Sequence, residues 1–251
     1  MKKVILIPAR LSSTRLPNKV LLDLNGKTVL QRVYEQCLKV EIDEVYIATD
    51  SIEIKEVCQK FTQNIIITKN THISGTDRIA EAIQVIDCDV VINVQGDEPF
   101  IEPKLIQQLI NSFKNSNVQM VSAMQKIVKV EDLKNKNVVK VTVDNKNNAL
   151  YFSRSTIPYY RDGWEKLLND HENIPKHLNF YRHKGIYGYK KDFLIKYTKM
   201  EQGYLENLEK LEQLRALENG YKIKMIETDY NSIGIDTIDD YNNALKYLNE
   251  I

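Results

Sequence analysis

The sequence lacks long apolar runs, paired cysteines and an excess of either charge, and each absence removes a class of protein. No apolar stretch among its 251 residues approaches the ~20 needed to cross a bilayer as a helix. The basic start, Met1-Lys2-Lys3, is followed by only four apolar residues, Val4 to Ile7, before Pro8. A secretory leader needs a longer apolar core and a small-residue cleavage site, so the sequence reads as cytoplasmic. Cys37, Cys58 and Cys88 are odd in number and include no CxxC pair, which excludes a disulfide framework and argues against a cysteine zinc site. Lys and Arg number 35 against 34 Asp and Glu, a net charge of +1. General nucleic-acid and membrane-surface binders need a positive excess. There is no internal repeat and no low-complexity linker. Tyrosine is scarce in the first half: only Tyr34 and Tyr46 precede residue 150, and the other 12 of 14 follow it.

What is present is a globular composition, 43% hydrophobic and 27% charged, in a chain long enough for one or two domains. The first 125 residues alternate short apolar runs with amphipathic segments. Val4-Ile5-Leu6-Ile7, Val45-Tyr46-Ile47-Ala48, Ile65-Ile66-Ile67 and Val90 to Val94 read as strands covered on both faces. Between them Thr28, Ser51 and Ser74 or Thr76 stand where helix caps belong, and Pro103 suits a first helical turn. This β-α-β-α order predicts an α/β fold with a mostly parallel, doubly wound sheet. After Val118 the rhythm changes. Strands are expected within 121–130 and 138–143, then an irregular, aromatic and basic stretch over 151–189. A helix over 205–218 stopped by Gly220, a strand over 223–226 and a helix over 238–248 complete the chain. The division expected is a core of residues 1–125 and 220–251 with a smaller inserted lobe of residues 126–219.

In doubly wound folds ligands bind beyond the carboxyl ends of the strands. After the first strand comes PARLSSTRLPNK, residues 8–19, with Arg10, Arg15, Lys19 and the hydroxyls of Ser12, Ser13 and Thr14. Cations on a loop constrained by Pro8 and Pro17 suit a polyphosphate. The Gly-Lys-Ser/Thr ending of a Walker loop and the GxGxxG of a dinucleotide fold are both missing. A solvated basic loop is the plainer alternative. After the fourth strand comes Gln95-Gly96-Asp97-Glu98-Pro99. A carboxylate there is placed to hold a divalent metal, or it simply ends a turn. Asp236, in Gly234-Ile235-Asp236-Thr237, is either its partner or the cap of the last helix. Ser74-Gly75-Thr76-Asp77-Arg78 opens a helix, as an anion-binding terminus or an ordinary capping box.

Taken in order, PARLSSTRLPNK, ATD, SGTDR, INVQGDEP, LYFSRSTIP, RHKGIYGY, LEKLEQLRALENG and IDT resemble the 3-deoxy-manno-octulosonate (Kdo) cytidylyltransferase family from Val4 to about Tyr241. The resemblance implies a nucleotidyltransferase-like sheet with a sugar-binding and dimerisation lobe. It implies the reaction of CTP with Kdo to give CMP-Kdo and pyrophosphate, for lipopolysaccharide or capsule synthesis. By resemblance, Arg10 and Lys19 grip the CTP phosphates, and Thr49, Asp50, Ser74 and Arg78 lie on the cytidine side. Asp97 and Asp236 hold Mg2+, and Gln95, Arg154, His183, Tyr187, Glu212 and Gln213 surround the sugar acid. The catalytic set is Arg10, Lys19, Asp97 and Asp236. A homodimer is implied as well, with Tyr159, Tyr160 and Trp164 suiting its interface.

The chain departs from the family's pattern at Asn18-Lys19-Val20-Leu21, where Gly-Lys-Pro-Leu is usual, at Tyr159, where Trp is common, and at Lys184. The last two lie in the sugar half, so 8-amino-Kdo and sialic-type acids stay open as substrates. A glycosyltransferase is disfavoured by GDEP standing where an Asp-x-Asp motif belongs. A non-catalytic nucleotide-binding protein is disfavoured because every expected catalytic position holds a competent residue.

Overall fold

The computed structural model describes residues 1–12, 15–72, 74–231 and 233–250. Ser13 and Thr14, two of the hydroxyls noted in the basic loop, lie outside the described residues. In chain order the first elements are β1 (Lys3–Ala9), α1 (Val29–Cys37), β2 (Glu44–Thr49), α2 (Ile52–Cys58), β3 (Ile65–Ile67), α3 (Gly75–Ala82), β4 (Val90–Asn93) and α4 (Pro103–Ser112). Then come β5 (Met120–Lys126), α5 (Val130–Lys134), β6 (Lys140–Val143), β7 (Ala149–Ser153), α6 (Trp164–Asp170), β8 (Tyr181–Lys190) and α7 (Lys191–Tyr197). The last are α8 (Tyr204–Glu209), α9 (Leu214–Glu218), β9 (Ile223–Glu227) and α10 (Ile238–Glu250).

The chain packs as two units. The first is Met1–Lys114, Ile186–Thr198 and Tyr230–Ile251. Its strands run in the order β3-β2-β1-β4 and are parallel, with Ile5 opposite both Val45 and Ile92. The end of β8 adds to β4 antiparallel, Asn93 facing Tyr187. The continuous apolar runs follow from this position: Val4 to Ile7 and Val90 to Ile92 are all fully buried. The helix starts are those the sequence marks. Thr28 accepts the Gln31 N–H at 3.1 Å and Ser51 accepts the Ile54 N–H at 3.2 Å, each satisfying one of the orphan donors of a first turn. All three cysteines are buried and free. Burial pushes the Cys58 thiol up to about 12 and the Cys88 thiol up to about 11, so these behave as small apolar groups.

The second unit is Asn115–Gly185 and Lys199–Asp229. β5 and β9 pair in parallel, Met120 opposite Ile223. β6 pairs antiparallel with β7 and with the start of β8, where Lys140 faces Arg182. One apolar cluster is built on Ile127, Leu133, Leu167 and Phe180, with Trp164 and Tyr160 packed against it. Two sequence expectations change here. The stretch 151–189 is irregular only in part: β7 ends in it and α6 and most of β8 lie within it, while 154–163 and 171–180 carry no named helix or strand. The helix expected over 205–218 is two short helices, α8 and α9, because Lys210 takes the left-handed conformation at φ 53° and ends the first. Glu212 and Gln213 therefore stand in a break between helices. Residues 186–198, which sequence order assigns to the inserted lobe, pack in the first unit because Tyr187 to Lys190 pair with β4. Among the described residues, no helix is long and apolar enough to cross a membrane.

Candidate active site

A cavity of about 500 Å³ opens in the first unit beyond the ends of β1 and β4. Close backbone approach shapes it. A Cβ on Gly96 would lie 2.9 Å from the Pro8 carbonyl oxygen, so only glycine lets the turn after β4 sit against the end of β1. The basic loop returns on itself through Asn18, whose N–H donates to the Leu11 carbonyl at 3.3 Å and whose φ is 55°. This turn aims Lys19 into the cavity.

Three separate segments meet at that lysine. Its ammonium donates to Asp97 and, at 2.7 Å, to Asp236. Arg15 reaches the other oxygen of Asp236 at 2.9 Å. The Ile235 N–H donates to the Asp97 carbonyl at 2.9 Å and ties the last segment to the turn after β4. Burial opposes the Lys19 charge, but the two carboxylates outweigh it and its pKa is raised. For Asp236 burial also opposes the charge, and Lys19 and Arg15 prevail, holding its carboxyl below the usual range.

The capping alternatives separate cleanly. Thr237, not Asp236, caps α10: Asp240 accepts from the Thr237 N–H at 2.9 Å and donates its own N–H to Thr237 Oγ1 at 3.2 Å. Asp236 thereby keeps its carboxylate for Lys19 and Arg15. On α3, Ser74 is the cap, accepting the Asp77 N–H at 3.0 Å in a reciprocal capping box. Arg78, on the next turn and 3% exposed, donates to Asp50 at 2.9 Å and to Thr68 Oγ1 at 2.6 Å. Thr49 is fully buried, and its hydroxyl accepts the Ser51 N–H at 3.2 Å. Arg10, Lys19, Ser74, Arg78, Gln95, Asp97 and Asp236 thus all line the cavity, while Thr49 and Asp50 stand behind Arg78. Tyr187 lies on β8 opposite Asn93, its ring stacked on Tyr189 at 6.0 Å between centroids.

The remaining four residues expected around the sugar lie in the second unit. Arg154 is held at both backbone atoms: its N–H donates to Glu209 at 2.9 Å, and its carbonyl accepts the Lys140 ammonium at 2.7 Å. Its side chain donates to the Glu209 carbonyl at 2.9 Å. The His183 ring lies between Ser122 Oγ, 2.9 Å from Nε2, and Gln213 Nε2, 3.5 Å from Nδ1. An amide donor at Nδ1 makes Nε2 the protonated nitrogen, and the Ser122 hydroxyl passes the chain on to the Lys184 carbonyl at 3.2 Å. Burial pushes the His183 pKa down to about 3, so the ring is neutral near pH 7. Glu212 is half-buried and Gln213 is 4% exposed.

One polar cavity residue, His72, escapes the sequence reading; Arg15 is read there as a loop cation suited to a polyphosphate, without its Asp236 partner. His72 carries no motif signal beyond standing two residues before Ser74.

A cytidylyltransferase family model matches residues 4–224. The chain is 44% identical over 246 residues to a 3-deoxy-manno-octulosonate cytidylyltransferase of Trichlorobacter lovleyi, covering 97% of each chain. It is 45% identical over 250 residues to a protein of the same name from Francisella tularensis subsp. holarctica, covering 98% of each. Among solved structures, CMP:2-keto-3-deoxy-manno-octonic acid synthetase complexed with CTP matches at a TM-score of 0.91 and 36% identity, over 100% of this chain and 99% of that one.

Proposed function

This chain belongs to the 3-deoxy-manno-octulosonate cytidylyltransferase family, and we propose that it transfers CMP from CTP to the anomeric hydroxyl of Kdo, releasing pyrophosphate. The observation that carries the reading is the convergence of Lys19, Arg15, Asp97 and Asp236 from three chain segments on one cavity. In the reaction the sugar oxygen bonds to the α-phosphorus, the bond to the bridging oxygen of pyrophosphate breaks, and the hydroxyl proton leaves. Such a displacement needs positioning and charge neutralisation more than covalent chemistry. Arg10 and Lys19 bind phosphate oxygens. Arg78, fixed by Asp50 and Thr68, is a rigid wall on the cytidine side, and Ser74 keeps the start of α3 in place.

The donor set at Asp97 and Asp236 fits a divalent cation, since both carboxylates already reach one ammonium. A magnesium ion is commonly held by one or two carboxylates together with substrate phosphates. Held there by Asp97 and Asp236, Mg2+ would supply charge neutralisation and would lower the pKa of a bound hydroxyl.

We assign the nucleotide to the first unit, and a homodimer contact and most of the sugar-recognising residues to the second. Gln95, Arg154, His183, Tyr187, Glu212 and Gln213 recognise the sugar acid. The neutral His183 serves as a hydrogen-bonding group, which leaves the sugar carboxylate to Arg154. Tyr159, 67% exposed and 5.1 Å from Trp164 between ring centroids, supports the dimer contact. The enzyme acts in the cytoplasm, and its product supplies lipopolysaccharide synthesis.

Pyrophosphate release tests the reading. The expected result is release with CTP and Kdo, and little with 8-amino-Kdo or sialic-type acids. No release with CTP and Kdo at saturating Mg2+ overturns it.

A further inference from the structure

His72 lines the nucleotide cavity, and neither the motifs nor the mechanism above gives it work. Its ring nitrogen Nε2 contacts the Glu81 carboxylate. Glu81 is on α3, the helix that carries Arg78, and its same oxygen accepts the Lys69 N–H at 3.0 Å. The ring is therefore anchored to α3 through the same carboxylate that holds the start of its own loop. The His72 side chain is 18% exposed, and its second nitrogen, Nδ1, has no protein partner among the described residues. Through the His72 contact first of all, the Glu81 carboxyl is held below its usual range. An imidazole whose Nε2 donates to a carboxylate also donates from Nδ1 when the ring carries a second proton, the form that an anion at Nδ1 favours.

The charges in the cavity indicate what it donates to. Lys19 is engaged by Asp97 and Asp236, Arg15 by Asp236 and Arg78 by Asp50. Arg10 and His72 Nδ1 are the cavity's basic groups without a protein acceptor among the described residues. A nucleoside triphosphate brings several negative charges, more than Arg10 and Lys19 answer together. We infer that His72, braced by Glu81, is a substrate-binding residue whose Nδ1 donates to the part of the triphosphate that leaves as pyrophosphate. With an anion on one nitrogen and a carboxylate on the other, both nitrogens act as donors. The inference rests on the cavity being the CTP site.

Binding of CTP, CMP and pyrophosphate, each with Mg2+, is measured by calorimetry on the wild-type protein and on His72→Ala and Glu81→Gln. His72→Ala is expected to weaken CTP and pyrophosphate about tenfold, the ~1.4 kcal/mol of a charge-assisted hydrogen bond, and to leave CMP within about twofold. Glu81→Gln is expected to shift the same two ligands, less far. Merely structural damage lowers all three affinities together and lowers the melting temperature. Equal loss of CTP and CMP, or no change in either, overturns the inference. A wild-type protein that binds none of the three overturns the nucleotide assignment itself.

Discussion

The Lys19 ammonium donates to Asp236 at 2.7 Å, closing a contact between residues 217 apart in sequence. The pair sets a stability profile with two edges. Lys19 has a raised pKa, so its contribution is complete below the ordinary lysine value near 10.5 and fades as pH rises through the raised one. Asp236 has a lowered pKa, so its contribution is complete above the ordinary value near 3.8 and fades as pH falls through the lowered one. Asp236→Asn is expected to remove the acid edge and shrink the alkaline one, which Asp97 still supports, with the loss of stability greatest at mid-range. Urea unfolding across a pH series measures this, and unchanged edges reject the coupling.

Asp97→Asn keeps the side chain's shape and removes one of the two carboxylates. The expected loss in kcat is ~100-fold or more at saturating Mg2+, the scale of losing a main electrostatic stabiliser. Near-wild-type turnover by this variant rejects the metal role.

Arg78 is buried against Asp50 and Thr68. Arg78→Met leaves the Asp50 carboxylate without its cation, and the expected cost is ~3 kcal/mol. Ser74→Ala removes only the helix cap and should cost ~1 kcal/mol. Chemical unfolding of the two variants side by side separates them, and a larger loss from Ser74→Ala contradicts the assignment.

His183 gives a second acid-sensitive site. Its folded pKa is about 3 against an ordinary 6.5, so its stability contribution is present above pH 6.5 and is lost as pH falls toward 3. His183→Gln, which can keep a hydrogen bond to Ser122, should remove that slope. Unfolding free energies at pH 4 and pH 7 provide the comparison. An equally steep acid limb in the variant excludes His183 as its source.

The first unit's strands were readable because they are sealed on both faces, and burial writes itself as uninterrupted apolar runs such as Val4 to Ile7. Caps were readable at Thr28 and Ser51 because an N-cap is a local interaction. The second unit was harder. β8 reads RHKGIYGY within its span, with charges and glycines that mask its pairing, and its partners lie far away in sequence. Lys210 ends α8 with a left-handed backbone that no neighbouring glycine announces. In the site, the loop cations and the two aspartates were legible as residue types. Which oxygen each cation takes depends on a 217-residue closure, and the bond between His72 and Glu81 depends on the turn into α3. A motif fixes neither.

Lys140 is fully buried, and its ammonium is saturated by the carbonyls of Asn135 at 3.0 Å, Val138 at 2.6 Å and Arg154 at 2.7 Å. Burial lowers its pKa, which in an open setting would make an amine more nucleophilic. Here no reagent can approach it. Amine acylation followed by peptide mass mapping should therefore leave position 140 unlabelled while its exposed lysine neighbours react. Its labelling would appear only when the second unit opens, so this lysine is a built-in clock for the unfolding of that unit.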